Sequence, residues 1–436
     1  MRNFIDLKGG YGARAGSAYV VGSFFVSGVL TYVFQGLSAR FLGEAGYGDL
    51  IVLWTTTFLV VQVLWIGVTQ TLGRFVSERL SRGADIKPVI SSVKRLQLAL
   101  LGTFVVVYLI ASPLTMDALF RGSWALTVAL LAAVAAYAPE YFRRGTFNGH
   151  RQAARLGVLH MVESSSRALL AVVLLVAGVG VLGPGLAIVL APLIAVIAVR
   201  PTQDVTPERE GEPFSATKAF RFTGPVLLCV AFAQILMNGG PIFLSLLGGT
   251  RAQVGVFGAA LILTRVPQYV ISPAIGALLP HASRVLATEG PRSLDRLVGK
   301  AAGVVGLVGV LMVGGTWVLG EWGIRLFAGS EFEATRGLLV SLALLAAFYL
   351  LAETLNQALF ALGRARLAAL GWLVGLPVCA ICMGLQLADP LYRVSFSLAL
   401  GAFAAAASQA TFYLGVRKRP AGHAEPIIDP EDPTIP

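Results

Sequence analysis

Charge is what this 436-residue sequence has least of: 13% of its residues are Asp, Glu, Lys or Arg. A soluble domain carries roughly 25%. With 56% hydrophobic residues, the chain cannot cover a globule with a polar surface, so its solvent is a bilayer. Cysteine is also scarce. Cys229, Cys379 and Cys382 all lie in apolar runs, which excludes a disulfide framework. The C-x-x-C at 379–382 has neither a βαβ setting nor a second pair for zinc, so these are small packing residues and no metal or cofactor is expected. Long polar loops are missing as well. A membrane polymerase, ligase or glycosyltransferase needs a catalytic acid pair or a folded external loop, and neither is present, so an enzyme is not expected. Nor is a cleavable leader: residues 1–17 are polar and glycine-rich, and the first apolar run is too long for a signal peptide.

What is present is a series of apolar runs long enough to span. A helix needs about 20 mostly apolar residues to cross a bilayer. Twelve such runs are read, at 17–38, 48–72, 97–116, 123–142, 157–179, 182–199, 222–247, 253–279, 300–320, 334–361, 367–388 and 391–415. The fifth and sixth are nearly fused, and Gly178–Gly185 with Pro184 is either a tight turn or a kink. The net charge of +11 is not a nucleic-acid stripe, because the basic residues sit between spans. Every second loop is basic: Arg74, Arg79, Arg82, Lys87, Lys94 and Arg95 share one, and Arg143, Arg144, Arg151 and Arg155 another. The alternate loops hold only Arg40, Arg121, Arg251, Arg325 and Arg393. The positive-inside rule then predicts a multi-pass cell-membrane protein with both termini cytoplasmic. The tail, 419–436, is rich in proline and acid and is expected to be disordered.

Two segments recur in order. "LGEAGYG" (Leu42–Gly48) closes the first external loop, and "LGGTRAQVGVFG" (Leu247–Gly258) closes the loop after span seven. "PEYFRRGTFNGHRQAARLG" (Pro139–Gly157) follows span four, and "AETLNQALFALGRARLAALG" (Ala352–Gly371) follows span ten. Six spans separate the members of each pair, so both halves keep one orientation. The expected division is 1–221, 222–418 and the tail, the first two being six-helix bundles related as parallel repeats.

"YVFQGLSARFLGEAGYGDL" and "NGHRQAARLGVLHMVESSSR", with its glutamate in span five, resemble the polysaccharide and oligosaccharide lipid flippases of the multidrug/oligosaccharidyl-lipid/polysaccharide exporter superfamily. The resemblance implies an all-α membrane protein with two six-helix bundles around a central cavity that opens alternately to each side. It implies an anionic lipid-linked glycan and membrane lipids as partners, a proton or sodium gradient for coupling, and no nucleic acid.

Ionisable groups inside a bilayer cost roughly 2.5–3.5 kcal/mol each on translocon scales and usually face a cavity. In span eight Arg265 stands about 18 Å in, near the midplane, with Gln268 and Ser272 on its face and Pro267 and Pro273 framing it. Span seven adds Gln234 and Asn238. Span one carries a stripe of Tyr19, Ser23, Ser27, Thr31 and Gln35. Spans one and seven hold no acid at all, where a pore for lipophilic cations would be expected to offer carboxylates. In "HMVESSSRALLAVVLLVAG" (His160–Gly178), His160, Glu163, Ser164 and Arg167 form one stripe, with Glu163 preceding Arg167 in the favourable i,i+4 order.

Arg265, Gln268, Ser272, Gln35, Thr31, Gln234, Asn238 and Arg167 are therefore candidates for binding an anionic cargo, and Glu163, His160, Glu353 and Asn356 for coupling or gating. Each has a plainer reading beside it. Arg265 also fits a buried ion pair, the serines of span one fit helix packing, and Glu163 with Arg167 fits a rim pair reaching for water. Glu140, in span four where Glu353 stands in span ten, reads as an interfacial capping charge. The glycines of span nine, among them Gly299, Gly303, Gly306, Gly309, Gly314 and Gly315, read as a packing face. Two functions compete: a flippase for a polyprenyl-diphosphate-linked oligosaccharide, and a multidrug/cation antiporter of the same fold. A facilitator-type carrier is excluded by "LGRFVSERLSRG" (Leu72–Gly83), which lacks that class's G-x-x-x-D-R-x-G-R-R loop.

Overall fold

The computed structural model describes residues 13–201, 214, 216–385 and 389–417. The expected disordered tail, 419–436, and the side chain of Tyr19 lie outside the described residues. All described regular structure is helical. In chain order the helices are α1 (Ala13–Ser81), α2 (Lys87–Ala118), α3 (Trp124–Gly149), α4 (Ala153–Val176), α5 (Leu182–Ala198), α6 (Ala216–Asn238) and α7 (Gly240–Leu246). There follow α8 (Arg251–Thr264), α9 (Val266–Glu289), α10 (Pro291–Ala328), α11 (Arg336–Ala361), α12 (Ala365–Gly384) and α13 (Pro390–Arg417).

The twelve apolar runs map onto these helices with two kinds of difference. The first two runs share α1, which is kinked at Gly43, where φ is +65°. A backbone there is open to glycine and costly for other residues. Runs seven and eight, expected as single helices, are each broken. The break at Gly239 separates α6 from α7, and Arg265 separates α8 from α9. Pro267 explains the second: it has no N–H to give and its ring clashes with the preceding turn, so it sits in the opening turn of a new helix. Dividing α1 at Gly43 and joining each broken pair returns twelve segments. Between α4 and α5 the chain makes a true turn, with Gly178 and Gly180 both at positive φ, and Pro184 falls in the first turn of α5.

Eight described helices are long and apolar enough to cross a membrane by themselves. Their outer surfaces are apolar: Ile110, Leu114, Ile197 and Val318 stand with most of their area uncovered, a cost in water and none in lipid. Polar groups turn inward. Trp65 donates to the Val134 carbonyl at 3.0 Å, Thr69 to that of Tyr141 at 2.8 Å and Gln97 to that of Ala138 at 2.6 Å, as expected where no water reaches the backbone.

Contacts divide the chain into two units. The first comprises Met1–Leu227, Pro241–Ala259 and Phe327–Phe332; the second comprises Leu228–Gly240, Ala260–Leu326 and Glu333–Pro436. Within the first, α1 packs on α3 and α4, and α5 packs on α3 and α4. Within the second, α11 packs on α9 and α13, and α12 packs on α13.

Span nine departs from expectation. Of the α10 glycines, Gly309 meets Ala347 and Gly320 meets Leu339, but a side chain added at Gly299, Gly303, Gly306, Gly314 or Gly315 would meet nothing within 4 Å. Most of that face is unpacked, because the spacing of small residues does not specify which side of a peripheral helix meets a neighbour.

Candidate functional site

In the first unit a short connection after Gly149 turns α3 back into α4. Tyr137, Glu140, Tyr141 and Arg144 fall at i, i+3, i+4 and i+7 on α3, one face of a helix, and that face meets the His160–Glu163–Arg167 stripe of α4. Glu163 is the hub. It pairs with Arg167, accepts from the Tyr137 hydroxyl at 2.8 Å, and accepts from Arg144 Nη2 at 3.1 Å. Arg144 also holds Glu140, through Nη2 at 2.7 Å and Nε at 3.0 Å. Arg167 donates to the Tyr137 hydroxyl at 3.1 Å and to Thr31 Oγ1 of α1 at 3.2 Å. Its guanidinium lies over the Trp54 ring at 4.9 Å, with Phe34 and Phe58 near 6 Å, a cation–π setting. Arg144 lies over Tyr141 at 4.4 Å.

Two carboxylates and two guanidiniums thus form one connected network buried within the unit. This differs from the rim pair and from the capping charge. Glu140 is fully buried and nine residues short of the end of α3, where it caps nothing. Its Oε2 has no hydrogen-bond partner. His160 Nδ1 is 3.9 Å from Glu163 Oε2, and its ring packs on Phe24 at 4.7 Å. Ligand atoms of Glu140, His160 and Glu163 lie within 4.8 Å of one another, close enough for a cation. Arg144 and Arg167 already pair with these carboxylates, so a bound cation would have to compete with them.

The other span-one candidates are engaged within the same unit. Thr31 donates to the Ser27 carbonyl at 2.9 Å while receiving Arg167. Gln35 is fully buried and accepts from the Tyr47 hydroxyl at 2.9 Å.

In the second unit Arg265 occupies the break between α8 and α9. It is buried, and its Nη1 donates to Asn238 Oδ1 at 2.9 Å. Asn238 in turn donates to Gln234 Oε1, one turn back on α6. Gln268 follows in the first turn of α9, its backbone N–H donating to the Arg265 carbonyl at 2.9 Å and its Oε1 buried without a partner. Ser272 follows on α9, half-buried. On α11, Glu353 accepts from Gln357 Nε2 at 2.6 Å and Asn356 Nδ2 at 3.4 Å, and Asn356 Oδ1 accepts from Cys229 at 3.0 Å. Where Glu140 is held by an arginine, Glu353 is held by amides.

The structure therefore brings candidates together in three groups, Arg265–Asn238–Gln234 and Glu353–Asn356 in one unit and Glu163–Arg167–His160 with Thr31 in the other, while Gln35 pairs with Tyr47 instead. Tyr137, Tyr141 and Trp54 escaped the sequence reading. The spacing of Tyr137, Glu140, Tyr141 and Arg144 was the available signal for the first two. Trp54 had none, since an aromatic in an apolar run reads as core.

Among solved structures, the fold is similar to a multidrug-resistance MATE family transporter of the MOP superfamily in its inward-facing conformation, at a TM-score of 0.66 and 17% identity over 94% of this chain and 96% of that one. It is similar to the outward-facing conformation of such a transporter at 0.66 and 16%, over 93% and 96%. A MOP superfamily transporter from Pyrococcus furiosus, described by the reverse polarity of its binding pocket and a different function suggested from it, matches at 0.65 and 16%, over 92% and 95%. The fold is thus that of multi-pass membrane transporters. Residues 13–286 match the family of polysaccharide biosynthesis proteins, and the chain belongs to that family. Uncharacterized proteins of Mycobacterium bovis and Mycobacterium tuberculosis are 28% identical over 270 residues, 60% of this chain. The chain spans about 61% of the length of these relatives.

Proposed function

We propose that this protein is a flippase that exports a polyprenyl-diphosphate-linked oligosaccharide, a precursor of cell-surface polysaccharide, across the cytoplasmic membrane by alternating access, with both termini in the cytoplasm. The observation that carries the reading is Arg265, a buried guanidinium at a helix break, steadied by Asn238 and Gln234, on spans where span seven supplies no carboxylate. A guanidinium suits a diphosphate because its planar fork meets two oxygens at once. Gln268 and Ser272 follow on α9 and suit the first sugar. The polysaccharide family match supports this cargo class.

Arg167 is better suited to positioning than to cargo, since Glu163, Tyr137 and Thr31 already surround it. Glu163 with His160, and Glu353 with Asn356, are proposed as the coupling and gating groups, a proton or sodium ion being the coupled species.

The test is flux of a fluorescent polyprenyl-diphosphate oligosaccharide in proteoliposomes. Arg265→Ala should slow it by roughly 10- to 100-fold, the worth of one charge-assisted contact. Arg265→Lys should recover part of the loss, keeping charge without the fork. Unchanged flux in Arg265→Ala, with normal surface polysaccharide in cells holding normal protein levels, would refute the reading. The fold likeness to multidrug transporters favours one alternative, a cation antiporter. Drug hypersensitivity of a deletion strain with intact surface glycan would select it.

A further inference from the structure

The recurring motifs Leu42–Gly48 and Leu247–Gly258 take no part in the cargo reading, yet in the first unit they pack on each other. Gly48 of α1 and Gly255 of α8 lie so close that a methyl carbon added to Gly48 would strike the Arg251 carbonyl oxygen. One added to Gly255 would strike the Glu44 carbonyl oxygen. Either would also sit 3.1 Å from the backbone nitrogen of the other glycine. The contact is reciprocal: each glycine faces the carbonyl of the residue four positions before the other. Backbones approach this closely only where both residues lack a side chain. One turn on, the space a side chain at Gly258 would need is filled by Ile51.

Polar ties surround the crossing. Arg251 Nε stands 3.3 Å from Asp49 Oδ1, with Arg251 partly exposed. Arg121 donates to the Gly249 carbonyl, and Ser245 to that of Ala118 at 3.1 Å. Arg40 Nε donates to the Phe327 carbonyl at 3.3 Å. These ties lie at the loops assigned to the outside.

We propose that the Gly48–Gly255 crossing, with its Asp49–Arg251 ion pair, is a clasp that closes the outer side of the transporter and parts once in each cycle. The inference rests on the alternating-access reading and on the orientation given above. The make-up of the contact is what argues for parting. The crossing itself is backbone against backbone, and around it stand one partly exposed ion pair, a weak kind of bond, and three side-chain-to-carbonyl hydrogen bonds. Ile51 against Gly258 is the large side chain packed at the crossing, so parting exchanges few packed groups, as a two-state closure requires. It also accounts for the recurrence of a glycine motif at equivalent places in the chain.

The test has two arms. In the first, Asp49→Cys and Arg251→Cys are combined and joined from outside with a short, reducible, charged bis-methanethiosulfonate reagent. Glycan flux should fall to background and return on reduction; flux at the uncross-linked rate in the joined protein would overturn the clasp. In the second, Ile51→Cys serves as a reporter labelled from outside by a charged thiol reagent, with no cargo present. Adding Gly48→Ala should speed labelling by roughly tenfold, since overpacking of this size disfavours the closed state. A well-folded Gly48→Ala protein that labels no faster would also overturn it. Should Gly48→Ala fail to fold, the cross-linking arm decides alone. If the parent moves no glycan at all, the cargo reading fails and the labelling arm still judges the clasp.

Discussion

Glu163 accepts from three donors on two helices, and every one of them is itself buried or nearly so. Removing a single member leaves a buried charge without its partner. Glu163→Ala should therefore cost about 3–5 kcal/mol, the penalty for breaking a buried pair from one side. Glu163→Gln combined with Arg167→Gln removes both charges and should cost distinctly less than Glu163→Ala or Arg167→Ala alone. Thermal unfolding in detergent measures this; a double variant as unstable as the singles would show that charge pairing is not what the network contributes. At this scale the sequence was half legible. The i,i+4 spacing announced the Glu163–Arg167 pair, because both residues belong to one helix. Arg144, Tyr137 and Glu140 reach the pair from α3, and no spacing within α4 encodes which face of another helix it will meet.

Helices in this protein are cut to different tolerances. Gly375 of α12 and Gly401 of α13 approach so closely that an added methyl carbon at Gly375 would lie 2.5 Å from the Gly401 carbonyl oxygen, and one at Gly401 would lie 2.8 Å from that of Gly375. Alanine at either should destabilise by about 1–3 kcal/mol through overpacking. Gly303→Ala on α10, where nothing lies within 4 Å, should be neutral or gain up to about 1 kcal/mol from helix propensity. Melting temperatures of the three variants side by side would check the contrast, and equal effects would contradict it. All these glycines look alike in sequence; packing alone separates them. Ser123 and Thr335 cap α3 and α11, accepting from the backbone N–H groups of Leu126 and Leu338, and Pro267 opens α9 after the break at Arg265, although the apolar run there reads as one helix. That Arg265 would then reach Asn238 was not encoded locally, since the two stand on separate helices.

For the whole molecule, twelve crossings require both termini on one side. Reporter fusions at residue 1 and residue 436 should be active only in the cytoplasm, and a tag in the loop at 119–123 should be reached from outside by an impermeant probe. A terminus reached from outside would change the number of crossings. The charge alternation that predicts this orientation is a property of loops and is readable without any fold.

Membrane residence, the span positions and the alternation of basic loops follow from the sequence alone, because lipid imposes length and polarity on each segment separately. The glutamate–arginine spacing of α4 belongs to the same class, being set by the helical repeat. Which groups close on one another across helices was decided only by tertiary structure: Arg144 with Glu163, Arg265 with Asn238, Gly48 with Gly255. The physical reason is that a span's composition records how much of it must avoid lipid, whereas the partner that lets a buried charge or a bare backbone do so is supplied by a different helix.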